Sequence, residues 1–410
     1  MRVVYLNPCG RMGGGEMSLM DVLTSIRAHQ PEWQLALVLG EDGPLVRQAE
    51  AAGVRVIVAP FPRALARLGD SGNGLGALWL ALRAAAGTWR YASGLRHTIA
   101  ELQPDIVHSN GFKMHVLGAW ARPKSAPLVW QIRDYVSSRS LMKRLLRWHA
   151  GRCAAAIGNS ESVSADIRKV CGAGLETMCV YNAIDLKRYS PEGEKVDLDA
   201  LAGLDPAIEG TVRIGLVATL AHWKGHAVFL RALARLPKDL PVRAYVIGGA
   251  IYQTENSQRS IDELRGLASQ LGIADKVAFT GYIADVAGAI RSLDVLVHAS
   301  TQPEPFGRVI AEGMACGRAV ICSAAGGAGE LISEGRDALA HPPGDDAALA
   351  ERIAELVPNP ELRARLGAAG RKTAERRFDR SRLAGQLVPL YRRLAGQPAP
   401  REENQLVVTQ

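Results

Sequence analysis

Two glutamates stand eight residues apart in "STQPEPFGRVIAEGMACGRAVI", which runs from Ser300 to Ile321. Glu304 lies between two prolines, and Glu312 lies inside a helical pattern that begins near Arg308. Pro305 suits the first turn of a helix or the residues just before it. The amides of Phe306, Gly307, Arg308 and Val309 then fall at a helix N-terminus, without intrahelical acceptors and at the positive end of the dipole. Such an end binds anions, phosphate among them. Glu312 would sit roughly 8 Å along the helix at ~1.5 Å per residue, about a ribose away from that phosphate. Glu304 would face whatever hangs from its far side. On spacing alone, two surface carboxylates explain the pair equally well.

Other loops follow the same logic. Lys224, in "GLVATLAHWKGH", sits between a strand and a helix, where an ammonium could reach the same phosphates as a point charge; a surface lysine is the default reading. "AVICSAAGGAGELI" places Gly326 and Gly327 where backbone could approach a ligand, although a plain strand-to-helix turn ahead of Glu330 reads better. In the first half, "HSNGFKMH" brings His108, Asn110, Lys113 and His115 to the end of a strand. "WQIRDY" brings Arg133 and Asp134 to the end of the next. Each lone histidine is more readily structural than catalytic. In "NPCGRMGGGEMSL", the pattern Gly13-x-Gly15-x-x-Ser18 approximates a dinucleotide fingerprint, with Glu41–Asp42 as the ribose acid. A serine in place of the third glycine makes that match weak.

The elements that must position these residues are legible as apolar runs. "MRVVYL", "QLALVLG", "VRVIVA", "DIVHSN", "PLVWQI" and "AAAIGNS" read as strands in the first half. "VRIGLVATL", "VRAYVIGG", "KVAFTG", "DVLVHAS" and "AVICSA" read so in the second. Most are continuous rather than alternating, which fits strands buried on both faces. Helical patterns such as "GHAVFLRALARL" and "SIDELRGLASQLG" separate them, so the pattern predicts a doubly wound parallel α/β arrangement that occurs twice. The seam falls in the polar stretch Tyr189–Gly210. The predicted division is a first domain over 1–190, a second over 191–375, a helix over 376–396 packing back on the first, and a tail over 397–410 without periodicity, read as disordered. Ligands of such sheets bind beyond the carboxyl ends of the strands, so two of them would face a cleft lined by loops from both.

With 410 residues, 48% hydrophobic and 22% charged, the chain has the composition of an ordinary globular protein. Its net charge of +8 is concentrated: residues 1–190 hold 23 of the 49 Lys and Arg but only 14 of the 41 Asp and Glu. A basic half suits an anionic membrane, a phosphorylated ligand or nucleic acid. No aromatic interleaving or recognisable module supports nucleic acid. "SSRSLMKRLLRWHAGR" reads as a basic amphipathic helix with Arg139, Lys143 and Arg147 on one face. It fits either a membrane surface or a core-packed helix with a solvated face. Six scattered cysteines without a CxxC argue against zinc or a disulfide framework and for a reducing cytosol. "MRVVYL" reads as a strand, so no leader is expected. "GLGALWLALRAAAG" (Gly74–Gly87) is too short to span a membrane and is broken by Arg83.

Taken together, "EPFGRVIAEGMACGRAVI", "WKGH", "FTGY", "VHAS" and "AGGAGELI" resemble the retaining family 4 glycosyltransferases of GT-B fold. "GGGEMSL", "PDIVHSNG", "NSESV" and "YNAID" agree, so the resemblance runs over about residues 1–375. It implies two Rossmann-like domains, the first for the acceptor and the second for a nucleotide-sugar donor. It implies that Glu304 contacts the donor sugar, that Phe306, Gly307, Arg308 and Val309 hold the diphosphate, and that Glu312 holds the ribose. Lys224 would neutralise the leaving diphosphate, Gly281 and Tyr282 would lie near the base, and Gly14 and Gly15 would approach the donor phosphates. His108, Asn110, Arg133 and Asp134 are the acceptor-side candidates.

Two positions depart from the family. Thr219 occupies a donor-binding position where an arginine usually precedes the lysine by five residues. Arg308, then His222 or Arg133, would have to supply the missing charge. Arg133 stands where a histidine is common. The implied reaction is same-face transfer from a UDP-, GDP- or ADP-sugar to a glycan or lipid-linked hydroxyl, with no metal and no cofactor. It would take place in the cytoplasm of a bacterium, peripherally at the inner face of the membrane. An epimerase or sugar phosphorylase on the same scaffold, or a non-catalytic nucleotide-sugar binder, are the competing readings.

Overall fold

The computed structural model describes residues 1–62, 75–249 and 259–398, the side chains of 75–86 excepted. The predicted tail therefore lies almost wholly outside the described residues. Contact density divides the chain into two units. The first comprises Met1–Gly158, Ser164–Val180 and the residues from Arg380 on; the second comprises Asn159–Val163 and Tyr181–Asp379.

The first unit holds seven parallel strands: β1 (Arg2–Asn7), β2 (Gln34–Leu39), β3 (Arg55–Val58), β4 (Ile106–Asn110), β5 (Leu128–Ile132), β6 (Ala155–Gly158) and β7 (Thr177–Cys179). Their order is β3-β2-β1-β4-β5-β6-β7. The second holds six: β8 (Val212–Val217), β9 (Val242–Ile247), β10 (Val277–Gly281), β11 (Val295–His298), β12 (Ala319–Ser323) and β13 (Leu339–His341), ordered β10-β9-β8-β11-β12-β13. Both are Rossmann-like doubly wound sheets with helices between consecutive strands. Every apolar run quoted above forms a strand. β7 and β13 were not anticipated: three-residue edge strands carry too little pattern to stand out.

Central strands are buried on both faces, as continuous apolar runs demand. Val3–Leu6 and Val295–Val297 are each at most 1% exposed. Ser260 and Glu263 close a capping box on the helix Ile261–Gln270, which explains why "SIDELRG" begins a helix. Among the described residues, no helix is long and apolar enough to cross a membrane.

The helix Arg382–Leu394 belongs to the first unit and packs on the helix Gly14–His29. Its buried Tyr391 makes the closure specific. The Tyr391 hydroxyl lies 2.5 Å from Nδ1 of His108 on β4 and 3.5 Å from the Tyr5 hydroxyl on β1. Ser25 Oγ accepts from the Ala384 amide at 3.0 Å. Burial, reinforced by Arg133, holds His108 well below the ordinary imidazole range, so the ring is neutral. Tyr391→Phe would strand Nδ1 in an apolar layer. Unfolding of the first unit in urea, followed by near-ultraviolet circular dichroism, should show a loss of about 1–3 kcal/mol.

Candidate functional site

In each sheet the strand order reverses beside its first strand, between β1 and β4 and between β8 and β11. Loops leaving such a pair diverge to opposite faces and open a crevice at the carboxyl ends. In the second unit those loops are Ala218–Gly225 and Ala299–Gly307, which carry Lys224 and Glu304.

The two loops are tied together by backbone. The amide of Thr301 donates to the Trp223 carbonyl at 2.8 Å. Gly225 adopts φ +76°, and a Cβ there would stand 1.8 Å from the Ala299 carbonyl oxygen, so only glycine allows this approach. The loop after β12 supplies a third tie. Glu304 pairs with Gly326 as a parallel bridge, and Ser323 Oγ donates to the Ser300 carbonyl at 2.6 Å.

These constraints deliver three donors to one buried carboxylate. Lys224 Nζ lies 2.6 Å from Glu304 Oε1. His298 Nε2 and Ser300 Oγ each lie 2.6 Å from Oε2. Glu304 is 7% exposed. Burial by itself would raise its pKa, but Lys224 and His298 more than offset that and hold it far below the usual carboxylate range. Lys224 also lies 4.0 Å from the centre of the Trp223 ring.

Beyond Glu304 the chain turns at Gly307, φ +87°, into the helix Arg308–Ala315, whose N-terminus has no side-chain cap. Phe306 is buried in contact with Tyr181 and Phe378. Glu312, in the second turn, accepts from Arg308 Nε at 3.1 Å, and Arg308 Nη1 donates to the Ala183 carbonyl at 2.9 Å. Arg308, the first candidate for the charge absent at Thr219, is thus engaged along its own helix. Thr219 is half-buried, and its carbonyl accepts from Ala221. His222 is exposed. Gly281 ends β10 at φ +71°, followed by Tyr282, 69% exposed.

Gly326 and Gly327 lead into a short 3-10 helix rather than an α-helix. Glu330 within it accepts from the amides of Glu161 and Ser162 and from the Tyr181 hydroxyl. It caps a helix start.

In the first unit the crevice beside β1 and β4 is a pocket of about 190 Å³, lined among others by Glu16, Asn110, His115, Arg133 and Asp134. Arg133 Nη1 donates to Asn110 Oδ1 at 2.5 Å, and Asp134 pairs with Arg139 at 3.1 Å. Three of the four acceptor-side candidates meet here. His108 does not line it and instead bonds Tyr391. Gly15 lines the pocket, but Gly14 and Gly15 open the helix Gly14–His29 instead of forming a free loop. His115 is buried, and burial, then Arg133, lower its pKa to about 3. Its Nδ1 meets Ser109, while Nε2 has no hydrogen-bond partner among the described residues.

Sequence reasoning missed His298 and Ser300 as the partners of Glu304. Their signal was a polar pair closing an otherwise apolar strand, "DVLVHAS".

Residues 206–373 match the family model "Glycosyl transferases group 1", and residues 44–188 match "Glycosyltransferase Family 4". The chain belongs to these glycosyltransferases. The first of the two matches encloses β8 to β13, and with them Lys224, Glu304 and Glu312. Over 224 residues the chain is 30% identical to the spore coat protein SA of Bacillus subtilis, covering 53% of this chain and 58% of that protein. Over 216 residues it is 35% identical to the phosphatidyl-myo-inositol mannosyltransferase of Mycobacterium tuberculosis, covering 50% and 54%. It thus spans little more than half the length of these relatives. The crystal structure of Anabaena HepE with UDP and glucose matches with a TM-score of 0.76 at 26% identity, over 94% of this chain and 98% of that one. The fold is GT-B.

Removing the ammonium from this glycosyltransferase's buried cluster should cost stability in a pH-dependent way. Glu304 has a depressed folded pKa, so its contribution is complete above the ordinary carboxylate range and lost as pH falls below it. Lys224→Met should therefore cost about 3 kcal/mol at pH 7, the low end for a broken buried pair because His298 and Ser300 still donate. The deficit should shrink toward pH 3, read from denaturant midpoints across that range.

Proposed function

We propose that this glycosyltransferase transfers a sugar from a nucleoside diphosphate sugar to an acceptor hydroxyl with retention of anomeric configuration. The observation that carries the reading is the placement of Glu304 and Lys224, 2.6 Å apart, at the β8/β11 crevice beside an uncapped helix N-terminus. A diphosphate at that N-terminus meets the helix dipole and the Lys224 ammonium, which together stabilise charge developing on the leaving group. Glu312, one turn further, accepts from the ribose hydroxyls, and Glu304 from the sugar hydroxyls. Gly281 and Tyr282 flank the base. The charge is met by protein groups, so the reaction proceeds without a metal.

The bond from the anomeric carbon to the phosphate oxygen breaks. The acceptor oxygen attacks from the same face, and its proton passes to the departing phosphate oxygen. Asn110, Arg133, Asp134 and Glu16 of the first unit's pocket bind the acceptor through its hydroxyls.

HepE, bound to UDP and glucose, makes UDP-glucose the first donor to test. In a thermal-shift panel of UDP-, GDP- and ADP-sugars, the true donor should raise the melting temperature, the stabilisation growing with the logarithm of ligand over Kd. Glu304→Gln should lower turnover by a hundredfold or more (on the order of 3 kcal/mol of lost transition-state stabilisation), with folding intact. An inverted anomer in the product, read by NMR, would refute the same-face path. No stabilisation by any nucleotide sugar would overturn the reading as a whole.

The acceptor we infer is a glycan or a lipid-linked glycan of a bacterial envelope, reached from the cytoplasmic side. Support comes from the helix Ser140–His149. It buries Leu146 and His149 but exposes Leu141 (53%) and Trp148 (78%) among Lys143, Arg144 and Arg147. Leu141 and Trp148 are seven residues apart and share one face, so an apolar stripe sits within a cationic field, the pattern of an interfacial helix. The names of relatives such as the phosphatidyl-myo-inositol mannosyltransferase point the same way. The protein should sediment with vesicles containing anionic lipid and not with neutral ones, and Leu141→Gln/Trp148→Gln should weaken that by tenfold or more, about 1.4 kcal/mol. Equal sedimentation with both vesicle types would remove the membrane from the proposal.

A further inference from the structure

Lys224 is committed to Glu304, Nζ to Oε1 at 2.6 Å. The proposed function, on which this inference rests for Lys224's second partner, requires the same ammonium to serve a diphosphate. When it turns, a carboxylate 7% exposed loses its closest cation and gains an anion nearby. Both changes favour protonation, and a protonated Glu304 would donate one hydrogen bond where the sugar needs an acceptor.

The remaining contacts bear on that problem. His298 ends β11, is 3% exposed, and places Nε2 2.6 Å from Glu304 Oε2. An ionised carboxylate only accepts, so Nε2 carries the hydrogen. The ring's other side is closed: Nδ1 faces the Cys322 thiol of β12 at 4.0 Å. The His298 carbonyl accepts from His341 Nε2 of β13 at 3.3 Å. Ser300 Oγ reaches the same carboxylate oxygen at 2.6 Å and His298 Nε2 at 3.1 Å. The ionisable groups around Glu304 thus include Lys224 and His298 in direct contact, with Cys322 and His341 packed behind His298. Cys322 is a thiol, because burial, aggravated by Glu304, raises its pKa strongly. Burial lowers that of His341.

We infer that His298, seconded by Ser300, is the positioning residue that keeps Glu304 ionised and fixed while Lys224 is engaged elsewhere. His298 and Ser300 occupy Oε2 from the core side. Oε1, the oxygen Lys224 vacates, becomes the acceptor offered to the ligand. A neutral imidazole with its hydrogen on Nε2 suffices for this.

Lys224→Ala reproduces the vacated state without any substrate. Glu304 can then be titrated by NMR of the carboxyl carbon in 13C-glutamate-labelled full-length protein, its signal assigned by its loss in Glu304→Gln. In Lys224→Ala, Glu304 should remain ionised down to the ordinary carboxylate range. In Lys224→Ala/His298→Ala its midpoint should rise by about one pH unit or more. In Lys224→Ala/His298→Gln, where an amide N–H takes the place of Nε2–H, most of that rise should disappear. A His298→Ala double variant that titrates with the Lys224→Ala single variant would overturn the inference, as would a glutamine variant no better than alanine. If the alanine double variant does not fold, Lys224→Ala/Ser300→Ala carries the same test with a smaller expected rise. None of these readouts needs a nucleotide sugar, so their failure is distinct from failure of the transferase reading, which the donor panel decides.

Discussion

A carboxylate kept ionised out of water is the constraint on which the second unit turns. Glu304 is held in that form by Lys224, His298 and Ser300, which converge on it from two loops and the end of β11. Each donor depends on a separate feature of the backbone. Lys224 arrives because Gly225 lets its loop pass against the Ala299 carbonyl, His298 because β11 ends where it does, and Ser300 because β12 anchors its carbonyl. The strand reversal between β8 and β11 brings all of them to one crevice. Packing sets the geometry, and the geometry sets the charge.

Much of this was legible as sequence. Continuous Val/Ile/Leu runs located eleven of the strands, and the Pro-flanked glutamate marked the approach to the helix Arg308–Ala315. What escaped notice had physical causes. His298 and Ser300 sit within a strand run, where polar residues look like interruptions; their meaning depends on Glu304 folding back over the strand end. The Gly326–Gly327 turn reads from sequence as a ligand loop or a plain turn, while the structure gives Glu330 the amides of Glu161 and Ser162, distant in sequence. Nothing local predicts such a partner. Histidines at the end of β4 look interchangeable in "HSNGFKMH", yet strand alternation sends His108 toward Tyr391 and leaves His115, on the following helix, beside the pocket.

The two departures from the family pattern fare differently. Arg133 finds a local role, bonded to Asn110 and lowering the proton affinity of His108 and His115. A cation there makes any histidine general base in that pocket less basic, which fits the proposed passage of the acceptor proton to the leaving phosphate. Thr219 finds no substitute in Arg308, whose guanidinium is occupied by Glu312 and the Ala183 carbonyl. The positive character of the β8/β11 crevice therefore rests more heavily on Lys224 than the family pattern suggests, and the stability of Glu304 without that lysine matters correspondingly more.

The closing helix Arg382–Leu394 has a consequence for how the molecule is made. It completes the first unit through Tyr391 and Ser25, yet it is encoded after the entire second unit. On a ribosome adding ~5–20 residues per second, the first sheet waits roughly 10–40 s for its last element. During that interval Trp33, Tyr5 and the His108 nitrogen face water or a chaperone. The second unit, synthesised almost in one stretch, is free to complete its fold before the first does.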